Sequence, residues 1–465
     1  MMAMAISRRF MLAAGAAGLA GALADPATAS AAPPASGLWT PAGDLGIAPA
    51  NSPAANRSAL VAALSNSSAA VYFPAGDYQV DNSGVDVVIA SFAGALAMAP
   101  AARFVFTAGA NRGLVFRSGT GARFYGLSTA FATAPTQRVD AQECLLFDST
   151  TDTYVEDIRV DGSAAAGLLF YRCTRSVVVG ALITGTMADG LHFANCQDGR
   201  ADRITTVDTG DDGVAFVNYA SGPANTGGLA TNLSVTRSKA RGVTVVGQSG
   251  VTIRDAVIDT TASAGLLCAY DSGWATRVPD DVVVERVRIA RGGQWVVDGH
   301  GGTDSGFRVI STGRVVASGL TIDSPGVHGV FASGSIVTLV DVAASNTPAS
   351  GFLLQAGGTY VVDRLTAAET NGIGFNVNGC DRLDYGTITV RNAAKTHDTH
   401  RAIDVESTAR VFGTRAWVSD TQATATGYVV GAYGTQKGSL GTIVAQVSQR
   451  ALTVDNPAGL GYTLA

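Results

Sequence analysis

Gly167-Leu168-Leu169-Phe170, Gly190-Leu191-His192-Phe193, Gly213-Val214-Ala215-Phe216, Gly242-Val243-Thr244-Val245 and Gly265-Leu266-Leu267-Cys268 repeat one pattern, a glycine followed by alternating apolar residues, at steps of 23, 23, 29 and 23 residues. It resumes at Gly306, Gly329, Gly351 and Gly374, at steps of 23, 22 and 23, with weaker copies at Gly113 and Gly427. A fixed period of this length marks a repeat architecture. The first and third residues after each glycine are apolar, the period-two pattern of a strand with one face inward. Further along each unit comes a second strand-like run, carrying Ile183, Ile204 or Ile258. One unit is too small to bury a face by itself, and stacking on its neighbours completes the core. The expected fold is all-β: a right-handed parallel β-helix, with coils of about 23 residues stacked roughly 4.8 Å apart. A leucine-rich horseshoe has a similar period, but its Leu-x-x-Leu-x-Leu signature is absent. The stretch from Gln294 to Gly306 breaks the period, as a coil or as a lateral loop.

Composition agrees. Fifty-six glycines, 47% hydrophobic and only 15% charged residues describe a turn-dense chain with little exposed helix. The start, Ser7-Arg8-Arg9-Phe10-Met11-Leu12 followed by a small apolar run to Ala24 and Ala-x-Ala sites, resembles a twin-arginine export signal. A membrane anchor is the alternative, but the run is short and rich in Gly and Ala. The expected organisation is a signal over 1–32, a linker and capping region over 33–110, the β-helix over 111–430 and terminal coils with a cap over 431–465. The mature protein is expected in the periplasm or medium, as a monomer by default. A formal charge of −5 without a basic stripe argues against nucleic acid or a membrane surface as partner. Neutral or weakly charged substrates fit better.

Before the coils, Asn56 to Leu64 reads as an amphipathic helix, and Val71-Tyr72-Phe73-Pro74-Ala75-Gly76-Asp77-Tyr78 follows. Helix, then hydrophobic, Pro, x, Gly, x, Tyr, resembles the opening of pectate-lyase-superfamily β-helices. That resemblance implies a helix capping the open end of the solenoid, which needs such cover.

Stacked coils let positions be compared as columns. Just before the glycine the coils carry Ala166, Asp189, Asp212, Arg241 and Ala264, and one position earlier Ala165, Ala188, Asp211, Ala240 and Ser263. Acids and an arginine thus interrupt a column of small residues. The outward position after the glycine runs Leu169, His192, Ala215, Thr244, Leu267, placing His192 beside the acids with small neighbours that leave a shallow groove. Clustered carboxylates push one another's proton affinities apart, so that one stays protonated while another ionises. Glycoside hydrolysis needs that division, and a working pair about 6.5 to 9.5 Å apart inverts the anomeric centre. Asp-Gly is also an ordinary turn dipeptide. Three acids on two coils beside Arg and His are harder to read that way.

Asp189-Gly190 and Gly210-Asp211-Asp212 resemble the motifs of glycoside hydrolase family 28, the polygalacturonases. The resemblance implies Asp212 or Asp189 as general acid, with the remaining acids, chiefly Asp189 and Asp211, holding the attacking water; no cofactor is implied. The sequence departs from the family downstream: Gly-His-Gly aligns with Ala240-Arg241-Gly242, and the Arg-x-Lys position falls near Gly265 to Tyr270, where neither basic residue occurs. Another sugar is therefore expected, with His192, Arg241, Tyr219 and Tyr270 shaping its site and Trp274 as a stacking platform. A uronate lyase or epimerase is the second enzyme reading, with Arg241 as base or neutraliser and the three acids holding Ca²⁺. A non-catalytic glycan-binding protein is the third.

Five cysteines show no metal-ligand spacing. Cys173 and Cys196 stack 23 residues apart, as a disulfide or as a reduced ladder. Cys268 has inward phase, Asn195 and Asn218 suggest an amide ladder, and His397 and His400 around Asp398 form a polar loop rather than a metal site.

Overall fold

The computed structural model describes residues 39–465 apart from 298, 395–400, 421–429, 436 and 448–453. The signal-like segment, Gly427, His397, Asp398 and His400 lie outside the described residues.

Each repeat glycine precedes a four-residue strand, as at Leu168–Tyr171, Leu191–Ala194, Val214–Val217, Val243–Val246 and Leu266–Ala269. These strands pair in parallel and in register within a ladder of fifteen. Longer strands such as Val177–Thr186 and Gly199–Thr209 build a second parallel ladder. The long strands bend in mid-course at a left-handed residue, Gly180, Arg203, Asn232, Asp255 and Arg286 on successive coils, with φ between 52° and 72°. A non-glycine residue there is strained, and Arg286 meets Asp255 of the neighbouring coil at 2.7 Å. The result is a right-handed parallel β-helix. Its rungs form from Val87–Ala90 in the short-strand ladder, and the long-strand ladder runs to Gly461–Leu464.

The glycines are needed for close approach rather than for φ. A Cβ on Gly190 would sit 2.6 Å from the Gly213 carbonyl and 2.7 Å from Thr206 Cγ2, inside contact distance. The inward residues Leu168, Leu191, Val214, Ile183, Ile204 and Ile258 are fully buried. Phe147, Phe170, Phe193 and Phe216 form a stack with centroids 4.8 to 5.1 Å apart and nearly parallel rings, an offset arrangement that adds to the burial of apolar area.

The expected helix spans Pro53–Leu64, capped by Ser52, whose Oγ accepts from Ala55 N at 3.2 Å, with proline suited to its first turn. It packs against the strands Gly76–Val80 and Val87–Ala90. Its one buried polar residue, Asn56, bonds Ala48 through both amide atoms and donates also to Gln79 O.

Two open points resolve. Val296–Val297 pairs antiparallel with His300–Gly301, so the period break there is a lateral hairpin. Cys173 and Cys196 are buried and unbridged, so the disulfide is not formed. Their thiols donate to Phe147 O at 3.1 Å and Phe170 O at 3.2 Å, the work a threonine hydroxyl would do at that corner. Cys268 is buried core, and Asn195 Nδ2 donates to Asn218 Oδ1 at 3.0 Å.

Candidate functional site

The turns before three successive short strands carry Asp189, Asp211 with Asp212, and Arg241, so register alone brings them together. The carboxylates also cap the next coil: Asp189 Oδ1 accepts from Asp212 N, and Asp212 Oδ1 from Arg241 N, each at 3.0 Å. One oxygen from each of Asp189, Asp211 and Asp212 lies within 4.8 Å of the others. These are distances between the nearest oxygens, whereas the inverting expectation concerns the separation of the acid and base carboxyl groups across the scissile bond.

Environment divides the acids. Burial pushes Asp212 up to about 7, Arg241 opposing and Asp211 and Asp189 adding to the rise. Burial also works against ionisation of Asp189, but the charge and hydrogen bond of His192, with the Asp212 N–H, bring it below the usual value. Asp211 is raised by burial and by Asp189, against Arg138 and Arg241. His192 Nδ1 stands 2.8 Å from Asp189 Oδ2. Burial disfavours its charged form, yet Asp189 first, then Asp212 and Asp211, leave it raised. Its Nε2 is buried without a hydrogen-bond partner among the described residues.

Arg241 Nη1 approaches Asp212 at 3.4 Å and Asp211 at 3.7 Å. A second guanidinium, unforeseen from the sequence, comes from 73 residues away: Arg138 Nη1 donates to Asp211 Oδ2 at 2.7 Å. Tyr219 borders the cluster, its hydroxyl pushed up to about 12 by burial and by all three acids. Its loop is tied down by Asn195, whose Nδ2 donates to Tyr219 O at 2.9 Å. Tyr270 and Trp274 stay exposed, Trp274 by two thirds of its surface. Their loop folds back to the Tyr219 loop, Ala220 N donating to Ala275 O and Arg277 N to Asn218 O.

The coils around these residues include the places where the period stretches. Rung to rung the step lengthens to 31 residues between Leu114 and Leu145, to 29 between Val214 and Val243, and to 41 between Leu266 and Phe307. The extra residues form loops 132–143 and 291–306 on one edge of the short-strand face, and 218–225 and 270–281 on the other. Between them Ala215 and Thr244 form a recessed floor.

Ca²⁺ fits this cluster poorly. It takes six to eight oxygen ligands, whereas guanidinium groups already lie against Asp211 and Asp212 and an imidazole against Asp189.

Solved structures that resemble this fold include enzymes that act on glycans. The catalytic unit of a thermostable GH87 α-1,3-glucanase from Streptomyces thermodiastaticus strain HF3-3 shares 18% identity, over 76% of this chain and 67% of that one, with a TM-score of 0.52. A GH87 α-1,3-glucanase catalytic domain in complex with nigerose shares 16%, over 63% and 60%, at 0.48. The A-module of an Azotobacter vinelandii mannuronan C-5 epimerase shares 13%, over 92% and 100%, at 0.47. This chain spans about three fifths to two thirds of the two glucanase chains. At such identities the likeness is one of fold. No family model matches the sequence, and no curated protein does. Nothing in these comparisons adds to the family 28 motifs. Among the described residues no helix is long and apolar enough to cross a membrane.

Proposed function

We propose that this protein is a glycoside hydrolase in which Asp212 is the general acid and Asp189 and Asp211 hold the attacking water. The observation that carries this is the convergence of three carboxylates within 4.8 Å, with Asp212 protonated up to about pH 7 and Asp189 ionised. A carboxyl that keeps its proton near neutrality can pass it to a leaving glycosidic oxygen. Two acceptors no more than 4.8 Å apart can share one water at roughly 2.8 Å from each. His192 holds Asp189 in place and ionised, while Arg138 and Arg241 limit the proton affinity of Asp211. The substrate is a poly- or oligosaccharide without a carboxylate at the cleaved unit, because both arginines beside the acids are already matched in charge.

A uronate lyase or epimerase is supported by one observation, the buried and unpartnered Nε2 of His192, with Tyr219 bordering the same acid cluster to complete a base and an acid for moving a proton. In that chemistry Arg241 serves as neutraliser and not as base, since Asp212 above all strengthens its hold on its proton.

The test is a glycan panel read by reducing-end release and by absorbance near 232 nm, with Asp212→Asn alongside. Reducing ends without absorbance, lost in the variant, support hydrolysis. Absorbance supports the lyase. Glycan binding without turnover in either protein leaves a binding protein.

A further inference from the structure

A second polar group stands on the same outward face. Residue pairing carries the outward column from Ala215 through Thr244 and Leu267 to Arg308, and then to Phe331. Arg308 is therefore three rungs from Ala215, roughly 14 Å along the solenoid axis at the usual strand spacing. Its Nη1 lies 3.0 Å from Asp304 Oδ2, and its guanidinium carbon 5.6 Å from the Phe331 ring centroid. Its Nε is buried without a partner among the described residues, while the side chain as a whole keeps 38% exposure.

The setting links this group to the acids. Asp304 lies near the end of the insertion that precedes Phe307, and it accepts from Ala264 N at 3.2 Å and Ser305 N at 2.7 Å. Asp189 and Asp212 likewise accept from a backbone N–H of an adjacent coil, there the following one rather than the preceding one. Between the two polar groups, Val246, Ala264, Leu267 and Ala269 pack with Ile310 into a small apolar cluster outside the main core. Acids, an apolar strip, then a guanidinium and a carboxylate beside an aromatic ring form a linear sequence of surfaces. A sugar has one face of C–H groups and an edge of hydroxyls, so it suits the ring together with the Arg and Asp pair.

We infer that Arg308, Asp304 and Phe331 form a distal subsite for a neutral hexose unit of the glycan, whose chain lies parallel to the solenoid axis. This rests on the hydrolase reading for its direction, since the chain must also reach Asp212. The span corresponds to about three sugar rings, so the subsite is filled only by oligosaccharides longer than a trimer.

The probes are linear neutral glucose oligosaccharides of two to eight units in the α-1,3, α-1,4, β-1,3 and β-1,4 series, measured for binding by calorimetry and for hydrolysis. Wild-type affinity should improve at least tenfold between the trimer and the hexamer of one series. Arg308→Ala and Phe331→Ala should each remove most of that gain, with Arg308→Lys recovering less than half, because lysine lacks the planar fork. Melting curves confirm that the variants are folded. Binding measured in Asp212→Asn separates the two ideas: length-dependent binding that Arg308→Ala abolishes supports the subsite even where no turnover is found. Affinity independent of length, no binding across the panel, or a length gain that survives both substitutions overturns it.

Discussion

His192 Nδ1 and Asp189 Oδ2 stand 2.8 Å apart in a wall where each is largely buried, so each sets the other's charge. The direction is opposite for the two partners. Asp189 lies below its ordinary 3.8, and its contribution to stability is present above that pH and lost as pH falls through the folded value. His192 lies above its ordinary 6.5, and its contribution is present below that pH and lost as pH rises through the folded value. The pair therefore stabilises most between about pH 4 and 6.5. His192→Gln should lower the melting temperature most in that window, with the gap to wild type closing on both sides. In Asp189→Asn the imidazole midpoint, followed by NMR, should fall; an unchanged midpoint would show that the two groups are not coupled.

Asp212 reverses the usual expectation that an active-site carboxylate is stabilising. Its proton affinity is raised to about 7, so its contribution is fully present below 3.8 and disappears as pH rises through the folded value. At pH 8 it is a buried charge only partly matched by Arg241. Asp212→Asn should abolish turnover by about a thousandfold, the scale of losing general acid catalysis, and should melt a degree or two higher than wild type at pH 8. Below about pH 4 the two should melt together. Wild-type activity should fall above pH 7, and a variant less stable at pH 8 would contradict this account of Asp212.

The solenoid could be read from the sequence because its cause is local and repeated. A glycine that cannot carry a Cβ and an inward residue three places on impose the same sterics on every coil, so Gly190 and Phe193 predict Gly213 and Phe216. The acid cluster was visible for the same reason, since register carries Asp189 onto Asp212. Arg138 was not, because it reaches Asp211 from an insertion whose path no periodicity fixes. The signal was present in coarser form: the 54 residues from Gly113 to Gly167 exceed two 23-residue steps by eight, and an insertion in stacked coils maps to a loop on one face. Cys173 and Cys196 show the converse limit. Their stacking was legible, but whether sulfur met sulfur or backbone oxygen depends on side-chain direction, which a 23-residue spacing does not encode.

Arg138 gives a test of the insertion. Its hydrogen bond and charge hold down the proton affinity of Asp211, against burial and Asp189. Removing it should raise Asp211 further. If ionised Asp211 holds the attacking water, the acidic limb of the pH profile in Arg138→Ala should shift upward, with activity falling about tenfold at pH 5 and less at pH 7. A uniform loss at every pH would instead mean that Arg138 only shapes the wall.

Two buried cysteines should respond differently to the same substitution. Cys173 sits at a corner where the side chain donates to Phe147 O at 3.1 Å and also meets Thr150 Oγ1 at 3.2 Å, and other coils place a hydroxyl there, as Ser335 does in donating to Ser333 O. Serine keeps that donor, so Cys173→Ser should change unfolding free energy by less than about 1 kcal/mol. Cys268 points into the apolar core with burial alone acting on its thiol. Cys268→Ser brings a hydroxyl there with no designed partner and should cost about 2 kcal/mol or more. Urea unfolding of both variants decides it, and equal costs would mean that the corner hydrogen bond contributes nothing.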